Sequence, residues 1–135
     1  MSVALLVSLA VPVVCRGEER DTSTYGKALI GHWKIPATGG DIYFAEDMNV
    51  TQVRPDGSTL NGEYSVDTMD AFPEEMAELK EMGTQIAVAL FYPEGVIVLL
   101  AKFSPDYQTM EGLFQVGESD AIEFKWNYLD GKQKP

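Results

Sequence analysis

One cysteine and one histidine are all that this chain offers a soft metal or a nucleophilic catalyst. Zinc needs several Cys or His ligands at regular spacing, so Cys15 and His32 do not make a site. No disulfide framework can form within the chain. A Ser-His-Asp or Cys-His arrangement would have to recruit His32, which strand alternation sets opposite Trp33 and toward solvent. Basic residues are scarce as well: ten Lys and Arg against twenty-one Asp and Glu give a net charge of −11. Nucleic-acid backbones and anionic membrane surfaces demand clustered positive charge, which counts against both as partners. Gly-rich phosphate loops are missing, and no cofactor is expected. Most carboxylates fall in turns, among them Glu46, Asp47, Asp56, Asp106, Glu118 and Asp120, or on the wet face of the predicted helix. A glycosidase-like pair needs two in one cleft with separated pKa values, and a solvated acidic surface is the expectation here.

No uncharged run is long enough to span a bilayer. The first fourteen residues, MSVALLVSLAVPVV, carry no charge but are broken by Pro12, which fits the apolar region of a secretory signal peptide. Residues 1–17 are therefore expected to be a signal peptide or apolar leader, and the protein to be exported, secreted or periplasmic. Lipid anchoring through Cys15 is the less favoured alternative, because Pro12-Val13-Val14 lacks the small residue expected before a lipidated cysteine. Residues 18–27 are polar without periodicity and read as a flexible leader. Residues 28–130 then form one domain.

What the chain does have is alternation. Leu29, Gly31, Trp33 and Ile35 share one strand face, and a turn at 36–40 leads to a second strand over Asp41 to Ala45. A third strand runs from Val50 to Arg54, beside a glycosylation triplet at Asn49-Val50-Thr51. After the Pro55-Asp56-Gly57-Ser58 turn, Leu60, Gly62, Tyr64 and Val66 take one face while Asn61, Glu63 and Ser65 take the other. Later strands cover Thr84 to Tyr92, Val96 to Phe103, Gln108 to Val116 and Ala121 to Leu129. In the last, Ile122, Phe124, Trp126 and Tyr128 line up together.

One helix interrupts the strands. Pro73 suits its first turn, Glu74 and Glu75 complement its dipole, and Gly83 can end it. Phe72, Met76, Leu79 and Met82 would share its apolar side, making it a plug or flap over a barrel end. The segment VIVLLAKF at 96–103 hardly alternates, so that strand is expected to be covered on both faces, by the helix or by a second copy of the chain through Val96, Val98 and Leu100.

An internal repeat joins these strands. PDGSTLNGEYSV at 55–66 answers PDYQTMEGLFQV at 105–116, each a turn followed by a strand with a large apolar residue, a Gly and an aromatic on one face. Glycine at a core-facing strand position permits sharp bending, and two bends in a meander are what a small closed barrel needs. The predicted class is mainly β, an antiparallel meander closing into a barrel of about seven to eight strands with one short helix.

Gly31-His32-Trp33 resembles the Gly-x-Trp element of lipocalins, and DGSTLNGEYSV and KFSPDYQTMEGLF resemble turn-and-strand segments of avidins. The pattern over residues 28–129 is thus similar to the calycin group of barrels. The resemblance implies a lipocalin-like barrel able to hold a small apolar ligand, or a minimal barrel acting as an exported inhibitor of another enzyme. It also implies a basic residue packed on the first-strand Trp, for which Lys125 and Lys132 are candidates. The first turn lacks the Asn and Ser of avidins, which counts against biotin. The aromatic set Trp33, Phe44, Tyr64, Phe114 and Trp126 is the candidate ligand lining, unless these rings simply fill the barrel. A non-catalytic exported binding protein is the expected function, and a protein-interaction module the alternative.

Overall fold

The computed structural model describes residues 24–68, 74 and 77–135. The apolar leader with Cys15, most of the polar leader, and Met69, Phe72, Pro73 and Met76 lie outside those residues. Helix α1, Tyr25–Leu29, precedes strands β1 Gly31–Ile35, β2 Gly40–Phe44, β3 Asn49–Val53 and β4 Thr59–Thr68. Helix α2, Ala77–Glu81, leads into β5 Ile86–Tyr92, β6 Gly95–Phe103, β7 Thr109–Val116 and β8 Ile122–Asp130. Each strand pairs antiparallel with the next, and β8 pairs back onto β1, so the sheet closes as an eight-stranded barrel. Closure gives every strand a neighbour on each side, so no whole strand stands at a sheet edge. Among the described residues no helix is long and apolar enough to cross a membrane.

The repeat explains how the sheet curves. Gly62 and Gly112 occupy inward positions on β4 and β7. A Cβ at Gly62 would overlap the carbonyl oxygen of Phe91, and one at Gly112, where φ is 156°, would overlap that of Leu100. The neighbouring strand therefore passes directly over each glycine, and the sheet bends there.

Three expectations are corrected. Among the described residues two short helices stand where one is predicted. Helix α1 begins inside the stretch read as flexible leader, and Leu29 ends it instead of opening β1. Its start is fixed by Thr24, whose Oγ1 accepts from the Lys27 amide at 3.2 Å; five residues are too few to display a helical period. The second correction concerns β6. Leu99, Ala101 and Phe103 point inward and are buried, but Val96 is 41% exposed and Val98 and Leu100 are half-buried. Helix α2 buries none of its residues, and Met82 is exposed. The lost alternation therefore marks an apolar outer wall that the described residues of α2 do not cover. His32 is the third correction, described below.

Side chains fill the barrel axis. Trp33, Phe44, Ile42, Ile86, Leu90, Leu99 and Met110 are fully buried. Their polar neighbours are satisfied: the Trp33 indole N–H donates to the Leu29 carbonyl at 2.8 Å, and the Tyr64 hydroxyl to that of Ala45 at 2.7 Å. Buried Tyr and Trp are stable only with such partners.

A candidate binding cleft at the α1 end of the barrel

The two ends of the barrel differ. One carries four turns, at 36–39, 54–58, 93–94 and 117–121. The other carries α1, the turns at 45–48 and 104–108, the β4–β5 connection with α2, and the C-terminal tail. Helix α1 lies across this second mouth with Ala28 and Leu29 buried beneath it, anchored by the Trp33 hydrogen bond. Among the described residues, α1 covers only part of the opening. Beside the helix remains a cleft of about 920 Å³, whose lining includes Ile30, Met48, Tyr64, Val66 and Tyr128. Lys27, Glu46, Asp130 and Lys132 reach its rim.

Alternation places the floor. Tyr64 and Val66 are successive inward residues of β4, and Tyr128 is an inward residue of β8. Tyr128 meets Trp33 edge-on at 5.4 Å, and Tyr64 meets Phe44 edge-on at 5.0 Å. Two aromatic pairs thus hold the floor from below, each geometry matching the quadrupole preference of the rings.

Of the five aromatic residues expected to line a ligand site, only Tyr64 borders this cleft. Trp33 and Phe44 lie beneath it in the core. Phe114 packs on Phe124 at 6.2 Å, and Phe124 on Trp126 at 4.9 Å, a separate stack reaching toward the turn end. The set is therefore distributed along the axis instead of gathered on one cavity. Neither candidate basic residue is placed on Trp33: Lys125 is an outward residue of β8 and Lys132 sits at the cleft rim. Compared with models of protein families, with curated proteins and with solved structures, the chain finds no match. Architecture and chemistry must carry any reading of function.

The sequence missed Ile30 and Met48 as cleft residues. Met48 has a positive φ of 70° in the 45–48 turn, a conformation no pattern announced. Ile30 is the single residue between α1 and β1, and its position follows only once α1 is recognised.

His32 is also elsewhere than expected. It lies on the outer wall at the seam between the first and last strands, yet its side chain is only 13% exposed. The imidazole stacks on Tyr43 at 4.1 Å, with Nε2 2.9 Å from Asp41 Oδ1 and Nδ1 3.5 Å from Asp130 Oδ2. Neighbouring strands bring these groups over it, which alternation within β1 does not report.

Titration of the floor gives a measurable consequence. Burial, aided by Asp47 and Glu46, pushes the Tyr64 phenol up to about 12. Burial also raises Tyr92, with Arg54 opposing. Unfolded chains lose these protons near pH 10 and folded chains hold them longer, so the native state binds more protons across that window. The contribution of these two phenols is expected to be level below about pH 10 and to fall above it. Urea melts along that range check it, and Tyr64→Phe should flatten part of the slope. An unchanged slope in that variant would place the titration elsewhere.

Proposed function

We propose that this chain is an exported, non-catalytic binding protein with a lipocalin-like barrel, and that it holds a small apolar molecule in the cleft beside α1. The observation that carries the reading is the cleft itself: about 920 Å³, floored by Tyr64, Val66 and Tyr128 and set in a barrel mouth. Small-molecule sites usually span about 300–1,000 Å³ with mainly apolar walls and a few polar groups at the edge. The filled barrel axis moves the ligand site from the centre of the barrel to its mouth. Export is supported by the charge-free run at 1–14. The calycin resemblance is supported by closure into eight antiparallel strands with Gly31-His32-Trp33 on the first. Partners on this reading are the apolar molecule and, at the outer wall of Val96, Val98 and Leu100, a protein.

The test is titration of the purified chain with N-phenyl-1-naphthylamine, a neutral fluorophore that the net charge of −11 does not repel. Saturable binding is expected. Val66→Trp fills the cleft and should weaken it by at least about tenfold, or about 1.4 kcal/mol. Phe114→Ala, at the other end of the interior, should leave it unchanged. Absence of saturable binding, or the reverse order of effects, overturns the proposal.

A further inference from the structure

We infer that the outer wall of β5, β6 and β7 is a self-association surface whose occupant is a second copy of this chain. Register places the outward residues in rows across the strands: Phe91 beside Val96, Ala89 beside Val98, and Ala87 beside Leu100 beside Leu113. Lys102 and Glu111 follow as the next pair and cancel each other. The wall therefore carries no net charge in a chain of −11. On β4, by contrast, the outward positions are Thr59, Asn61, Glu63, Ser65 and Asp67. Two such acidic barrels repel from most directions, and this wall is where approach costs least. Because every strand already has a neighbour on each side, the contact proposed is face to face.

The wall is also self-complementary in shape. On β6, Val98 and Leu100 form a ridge; on β5, Ala87 and Ala89 beside them form a shelf. A two-fold axis between these strands, parallel to both, sets the ridge of each copy on the shelf of the other, the isologous arrangement of a symmetric dimer. The same operation brings Ser65, which flanks Ala89, opposite Gln115, which flanks Val98. Asp67 then meets Leu113, so these rows set no carboxylate against another. Packed sheets cross at about −30°, which displaces the outer rows and leaves the central Ala89–Val98 row in place. Specific interfaces start at about 1,200 Å² in total, and a contact confined to three strands is expected to depend on concentration.

Sedimentation velocity of the full chain over a concentration series tests the inference. The wild type is expected to pass from monomer to dimer. Val98→Glu and Ala89→Lys should each hold the chain monomeric. An equimolar mixture of V98E and A89K chains should dimerise again, because the introduced carboxylate of one lies over the introduced ammonium of the other. Far-UV circular dichroism matching the wild type keeps loss of association distinct from loss of folding. Unchanged N-phenyl-1-naphthylamine binding by V98E separates this surface from the cleft, and failure of the cleft reading leaves the association result standing. A chain that stays monomeric throughout, including one that takes a different protein on this wall, overturns the inference. So does a V98E chain that still dimerises, or a mixture that does not.

Discussion

Replacing Gly112 with alanine is expected to remove a large share of the stability of the barrel. The added methyl would overlap the Leu100 carbonyl oxygen, which belongs to the backbone of β6 and cannot swing aside as a side chain can. The native φ of 156° is in addition one that L-residues rarely adopt, a strain of about 1–3 kcal/mol by itself. Relief requires β6 and β7 to part, and their ladder runs from Ile97 with Val116 to Phe103 with Met110. A cost of roughly 3–5 kcal/mol follows, against the 5–15 kcal/mol of a typical domain. Gly62→Ala meets the Phe91 carbonyl oxygen and the Tyr92 ring, and it should lose somewhat less because its backbone carries no φ penalty. Urea midpoints of both variants measure this. A G112A chain within about 1 kcal/mol of wild type would show that the strands separate freely, and the bend would then not depend on glycine.

Those two glycines were legible because the sequence repeats itself around them. The same local logic found the strands and their inward faces: Trp33, Tyr64, Met110 and Trp126 are all buried. What it could not supply was anything delivered by a distant segment. His32 looked solvent-facing because β1 alone puts it outside, whereas Tyr43 arrives from β2 and Asp130 from the far end of the chain. Helix α1 was invisible because five residues carry no period, and its anchor is the Trp33 indole within the barrel. The site suffered most. Large rings were the natural choice for a ligand lining, yet large rings also fill a narrow barrel, and four of the five chosen are buried. The cleft forms instead beside a short helix at one mouth, lined by Lys27, Met48, Tyr64 and Lys132 from across the sequence. In β6 the missing alternation was read correctly as apolar on both faces. Cover by the helix did not follow, because α2 buries none of its described residues.

Trp33→Ala is expected to be the most damaging side-chain truncation, and its effect should reach the cleft. The indole is fully buried, packs on Phe103 at 6.1 Å and Tyr128 at 5.4 Å, and donates to the Leu29 carbonyl. Truncating a buried Trp to Ala costs about 3–5 kcal/mol from lost contacts and the cavity left behind. Removing the donor as well leaves the Leu29 carbonyl short of a partner, about 1–3 kcal/mol of the total if water does not reach it. Trp33→Phe separates the two contributions, since a ring is kept while the N–H is lost. It should fall between wild type and W33A in urea melts. Hydrogen exchange gives the functional half of the prediction. The Ala28 amide, bonded to the Thr24 carbonyl, and the Ile30 amide, bonded to that of Lys27, should lose protection in W33F, while amides of β5 and β6 keep theirs. Loosening confined to these residues, together with weaker N-phenyl-1-naphthylamine binding, would mean that Trp33 acts on the cleft by holding its lid. If α1 stays protected in W33F, packing of Ala28 and Leu29 is sufficient to seat the helix, and the indole serves only the core.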